Sequence, residues 1–191
     1  MSSACALAQT EAVPHLPQPA ESHRLKAQLL RAQGKYRQAI DECRAALKFS
    51  PADRKLQNEL AITLFLSQDY KGTLPELEQL LKAQPRSANL NFFVGDSLFE
   101  TAQIEEAVPY LETALGLDPK LIPAHVALGL CYVRLGDGKK AIPHLKLGLQ
   151  LDTDGSLYYQ LSRAYGQVGQ PQLAKAMMDK YQELQKQAGT K

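Results

Sequence analysis

From residue 20 onward, apolar residues recur at helical spacing and are interrupted by short polar or glycine-bearing breaks. No stretch alternates with the period of two that marks a half-buried strand. The pattern reads helix, short turn, helix, short turn. A longer beat lies over it. The phrases ALKFSP, LLKAQP and ALGLDP close on Pro51, Pro85 and Pro119, 34 residues apart, and GLQLDT closes on Thr153 one period later. A fixed period of this size predicts stacked repeats, each a supersecondary unit that cannot bury its apolar face alone. The beat divides the chain into units 20–53, 54–87, 88–121, 122–154 and 155–188, the fourth losing one residue in the turn around Asp154-Gly155. Within the units, Gln33-Gly34-Lys35, Ser67-Gln68-Asp69, Leu135-Gly136-Asp137 and Val168-Gly169-Gln170 separate a first helix from a second.

Small residues make each unit a helical hairpin. Ala27, Ala61, Gly95, Gly129 and Ser162 stand at the eighth place, and Ala39, Thr73, Ala107, Ala141 and Ala174 at the twentieth. Small side chains at both places let two helix backbones approach closely. Larger residues, Leu30, Leu64, Leu98, Tyr132 and Tyr165, recur at the eleventh place. On these residues the chain resembles the tetratricopeptide repeat family, whose pattern asks for Gly or Ala at place eight, Tyr or Leu at eleven, Ala at twenty and twenty-seven, and Pro at thirty-two. The third unit matches with Gly95, Leu98, Ala107, Ala114 and Pro119. The first matches with Ala27, Leu30, Ala39, Ala46 and Pro51. The fourth has Leu128, Gly129, Tyr132, Ala141 and Gly148, with Thr153 in place of the proline. The resemblance implies an all-α, right-handed superhelical solenoid of about five helix-turn-helix repeats over residues 20–188.

Departures from the pattern carry expectations of their own. Thr73 and Leu80 replace the usual alanines of the second unit, which predicts looser packing against the third. Tyr181 occupies place twenty-seven of the fifth unit, a bulky residue suited to a repeat with no close successor. Pro75, Pro109 and Pro143 recur at place twenty-two. A proline deep in a helix costs about 3 kcal/mol, so their recurrence predicts helix starts nearby, where backbone donors are free. Thr73 with Glu76 fits a capping box and would place one such start close to Thr73.

In the resembled family the concave wall comes mainly from the first helix of each unit. The corresponding positions here are Arg24, Gln28 and Arg31, then Lys55, Asn58, Ile62, Phe65 and Leu66. Asn89, Phe92, Asp96, Phe99 and Glu100 follow, then Val126, Leu130, Val133 and Arg134, and finally Tyr159 and Arg163. The middle of this wall is apolar and aromatic and its ends are basic, a fit for a partner helix or extended peptide with hydrophobic anchors such as Phe65, Phe92 and Phe99. Packing between neighbouring first helices is the competing role for the same side chains. Some relatives grip a C-terminal carboxylate with Lys, Asn and Arg. Arg24 and Gln28 could mimic the first two, but Glu59 would repel that ligand and Phe93 stands where the arginine is wanted.

Composition narrows the function classes. The formal net charge is +2, which supplies no strong basic field for nucleic acid, and no apolar run is long enough for a membrane span. Cys43 and Cys131 fall at apolar helical positions and read as buried thiols. The four histidines, His15, His23, His125 and His144, show no metal-ligand spacing. No phosphate-binding loop, nucleophile elbow or zinc motif appears, so neither a catalytic constellation nor a cofactor site is expected. The expected function is a non-enzymatic scaffold for a protein or peptide partner. An accessory segment of a larger enzyme or assembly machine is the alternative, and the helix over 172–187 is a candidate seam for a homodimer. Residues 1–19 read as an extended Pro/Ala-rich leader. Ala6-Leu7-Ala8 resembles the end of a secretory signal without its apolar core, which leaves open both a leader that is merely Ala-rich and an exported protein with an upstream start.

Overall fold

The computed structural model describes residues 19–188, and all regular structure among them is helical. The elements are α1 (Pro19–Ala32), α2 (Tyr36–Phe49), α3 (Arg54–Leu66), α4 (Tyr70–Ala83) and α5 (Ala88–Glu100). They continue with α6 (Ile104–Leu117), α7 (Ile122–Arg134), α8 (Gly138–Gly148), a short 3-10 turn at Leu149–Leu151, α9 (Ser156–Gln167) and α10 (Pro171–Ala188). The described residues divide into two compact units, 19–60 and 61–188, with the division inside α3. Among residues 19–60, α1 packs along α2 over Ala27, Ala39, Cys43 and Ala46, all buried.

In the second unit the hairpins α5–α6, α7–α8 and α9–α10 stack through α4 on α5, α6 on α7 and α8 on α9, giving an all-α solenoid. The small residues at place eight are what permit this spacing. A Cβ on Gly95 would come 2.7 Å from Leu111 Cγ, and one on Gly129 would come 2.9 Å from Leu145 Cγ. Leu111 and Leu145 are fully buried in the resulting seams.

The 34-residue beat is also written in the backbone. The turn inside the hairpins uses one left-handed residue: Gly34, Gln68, Ala102 and Gly136, with Gly169 following one residue early. The return hydrogen bond of this turn recurs from Lys35 N to Leu30 O (2.9 Å), Gln103 N to Leu98 O (2.8 Å) and Asp137 N to Tyr132 O (2.9 Å). Such a bond satisfies a carbonyl that the helix end leaves open. Gln68 and Ala102 adopt the conformation without glycine's freedom, at φ 56° and 63°.

Two local expectations need correction. The helix predicted to begin near Thr73 begins at Tyr70, because Asp69 caps it by accepting the Gly72 N–H at 3.1 Å. Thr73 instead donates its hydroxyl to Asp69 O at 2.8 Å from inside the first turns. Pro75, Pro109 and Pro143 lie inside α4, α6 and α8 rather than at their starts. Each sits on the solvent face, as does the residue four before it (Lys71, Glu105, Lys139), so water can take the carbonyl bond that proline forgoes. Cys43 and Cys131 are free and buried. Residues 1–18 of the leader, with His15, lie outside the described residues, and its last position, Pro19, is helical and opens α1 rather than being extended.

Candidate partner-binding site

The wall positions fall in two groups, each in its own unit. In residues 19–60, one member of the anticipated basic flank, Arg24, is spent internally. Glu59 accepts Arg24 Nε at 2.9 Å and Gln28 Nε2 at 3.0 Å, and Arg24 also reaches both carboxylate oxygens of Glu21. The bond to Glu59, followed by that to Glu21, raises the Arg24 pKa still further. Arg31 is half-buried, while Lys55 and Asn58 are exposed.

In residues 61–188 the first helices present Ile62 and Leu66 (38% and 39% exposed) on α3 and Tyr159 (40% exposed) on α9. Asn89, Arg134 and Arg163 are exposed, whereas Phe99, Val126 and Leu130 are half-buried. Two anticipated wall residues are turned inward. Val133 is 1% exposed and belongs to the core, and Phe92, at 8%, shapes the floor instead of standing free. Phe65, Phe92 and the unanticipated Phe93 form one cluster, with centroids 5.5 Å, 4.6 Å and 5.6 Å apart for the pairs 65–92, 65–93 and 92–93. These rings spend their faces on one another, as mutual aromatic packing favours. Arg134 holds its guanidinium 5.3 Å from the centre of the Phe99 ring.

A concavity of about 340 Å³ opens among α5, α7, the α8–α9 link and the start of α9. It gathers six anticipated residues, Phe92, Asp96, Phe99, Glu100, Val126 and Leu130, and adds Leu151, Asp152, Thr153, Asp154 and Leu157 among others. The link residues escaped sequence reasoning, although the missing residue at Asp154-Gly155 marked the place where the chain departs from its period. Burial, and next the neighbouring Glu100 carboxylate, push the Asp96 carboxyl up to about 7. Burial also raises Asp152, against the opposing effect of the Leu157 N–H that its Oδ2 accepts at 3.2 Å. Its Oδ1 is buried without a hydrogen-bond partner. Asp154 is held low by the Ser156 N–H, which it accepts at 2.9 Å.

Away from this concavity, His125 and His144 come together with Nδ1 atoms 2.8 Å apart, and His125 Nε2 lies 3.1 Å from Pro119 O. Burial and the neighbouring imidazole lower the His144 pKa. Among the described residues no group of three or more His, Cys, Asp or Glu side chains could hold a metal ion. No helix among them is long and apolar enough to cross a membrane.

Comparison with known proteins points one way. Tetratricopeptide repeat profiles match residues 4–54 and 58–122, residues 98–165 and residues 155–187. Among solved structures, MamA from Desulfovibrio magneticus RS-1 (residues 41 to the end) superposes with a TM-score of 0.76 at 20% identity, covering 89% of this chain and 97% of that one. A second MamA structure gives 0.73 at 19% identity, over 92% of this chain and 96% of its own. YrrB, described as a tetratricopeptide repeat protein with an unusual peptide-binding site, gives 0.69 at 21% identity, over 87% and 86%. At these identities the likeness establishes the fold alone. No curated protein sequence matches the chain.

Proposed function

Because the chain belongs to the tetratricopeptide repeat family, we propose that it is a non-enzymatic interaction scaffold holding a helix or extended segment of a partner protein against the first helices of residues 61–188. The observation that carries this reading is the run of accessible apolar side chains on those helices, with Ile62, Leu66 and Tyr159 each about two-fifths exposed around the half-buried Phe99, Val126 and Leu130. An apolar surface edged by polar residues is the usual seat of an amphipathic segment. Phe65 and Phe92 serve chiefly to stiffen that surface through their packing with Phe93.

Photo-crosslinking separates the two faces of the stack without truncating that packing. A photoreactive residue at Leu66, Leu130 or Tyr159 should capture one discrete protein partner in cells. The same residue at Leu117 or Leu147, which are 37% and 47% exposed on second helices, should not. Equal or stronger capture at Leu117 and Leu147 would place the binding surface on the opposite face and end this reading.

A further inference from the structure

The concavity among α5, α7 and the start of α9 divides its chemistry sharply. Val126, Ala127 and Leu130 of α7 and Leu157 of α9 give it apolar walls, while Asp96 and Glu100 of α5 and Asp152 and Asp154 of the link bring carboxylates. Among the described residues no lysine, arginine or histidine lines it. Arg134, the arginine of α7, is laid over the Phe99 ring instead.

This combination discriminates among occupants. A purely apolar segment would strip water from the carboxylates and return no hydrogen bonds. An acidic segment would meet like charge. A long basic side chain satisfies both features, because its methylene stem packs on apolar surface while its charged head accepts a carboxylate neighbour. We propose that this concavity seats a lysine or arginine side chain of a partner protein, with the stem on Val126 and Leu130 and the charged head against Asp96 and Glu100. The proposal rests on the scaffold reading above and specifies the partner's chemistry. The chain's own residues 1–18 contain no lysine or arginine, so that segment lacks the required group.

The reluctance of Asp96 to ionise supports the assignment. The titratable and charged groups around it are Tyr70 of α4, Glu100 of α5, Cys131 and Arg134 of α7, and Asp152 and Asp154 of the link. Burial and the Glu100 carboxylate keep its proton on up to about pH 7. A cation arriving beside it would release that proton, so binding should tighten as pH rises through 7.

The test is selection of a random peptide display library on the whole chain, beside the same selection on Asp96→Asn/Glu100→Gln. Both replacements keep size and hydrogen-bonding shape, and a circular dichroism melt confirms that the variant is folded. Peptides selected by the wild type should carry a lysine or arginine near an apolar residue, and that enrichment should vanish with the variant. For a synthesised winner, replacing its lysine by norleucine should weaken binding to the wild type by about tenfold or more, and to the variant by less than about twofold. Winners without a basic residue, or norleucine peptides that bind the wild type equally well, overturn the proposal. If those winners still crosslink at Leu66 and Leu130, the scaffold reading survives alone. If the library yields no binder and crosslinking also fails, both readings fall together.

Discussion

Glu59 and Asp96 are both half-buried carboxylates on first helices, and their surroundings differ in kind. Glu59 accepts from Arg24 and Gln28, so that part of the wall is closed on itself. Asp96 faces another carboxylate, Glu100, in a recess with no basic lining among the described residues. The same contrast holds for their neighbours. Glu42 takes His23 at 2.7 Å and Lys26 at 2.5 Å, whereas Asp152 Oδ1 is buried without a partner. Charges that neutralise one another serve the fold. Acids kept half-buried without a counter-charge lower stability, and such costs collect where a molecule meets a ligand.

The comparison can be broken most directly at Asp96. Its folded pKa, about 7, lies above the ordinary 3.8, so the fold favours the protonated form. The stability associated with that proton is fully present below about pH 4 and is lost as pH rises through about 7. Asn mimics the protonated acid. At about pH 8.5, Asp96→Asn should therefore stabilise the protein by about 2–3 kcal/mol, a figure reduced from the full shift because the recess is open to water. Near pH 4 the gain should disappear. Urea unfolding at the two pH values measures this, and a loss of stability in the alkaline sample would mean that Asp96 is not under strain. A gain in stability with a loss of lysine-peptide binding would identify Asp96 as a residue kept for its ligand.

Glu59 should respond with the opposite sign. Removing it leaves Arg24 and Gln28 without their shared acceptor, so Glu59→Ala should destabilise by about 1–2 kcal/mol. The loss comes from the two donors that have lost this acceptor. Glu59→Gln retains an acceptor for Gln28 and should recover part of it. Chemical denaturation of the three proteins is sufficient, and an Ala variant as stable as the wild type would show the network to be ornamental.

Much of this arrangement is legible from the residues, for a physical reason. Each hairpin solves the same packing problem, so Gly95 and Gly129 must be small, Leu111 and Leu145 must fill the gap, and the period follows. The turn beat was readable at Gly34 and Gly136 but muted at Ala102, where the backbone keeps the left-handed turn without the residue that signals it. The wall positions were legible only as places on a helix. Whether a place faces a groove or a neighbour depends on the next helix, which is why Val133 and Phe92 turned out to be buried and Phe93 joined Phe65 and Phe92 in one cluster unannounced. Asp152 and Asp154 were the hardest to foresee, because a link between hairpins carries no packing period. The pairing of Arg24 with Glu59 spans 35 residues and depends on how α3 meets α1, information that no local pattern holds.

The smallest expected effect lies at Glu42, and it completes the contrast. The hydrogen bond from His23, followed by that from Lys26, holds the Glu42 pKa below its ordinary 4.5. For a depressed carboxylate, the stabilisation is present above the unfolded value and is lost as pH falls through the folded one. At neutral pH, Glu42→Gln should cost about 0.5–1 kcal/mol, because Lys26 is 63% exposed and water and salt screen the pair. Once acid has protonated Glu42 in the folded protein as well, the variant and wild type should converge. Acid titration of stability thus gives slopes of opposite sign at the two sites: wild-type stability relative to Glu42→Gln falls towards acid, and relative to Asp96→Asn it falls towards alkali. Two carboxylates with the same sign of slope would erase the distinction between charge closed on itself and charge left for a partner.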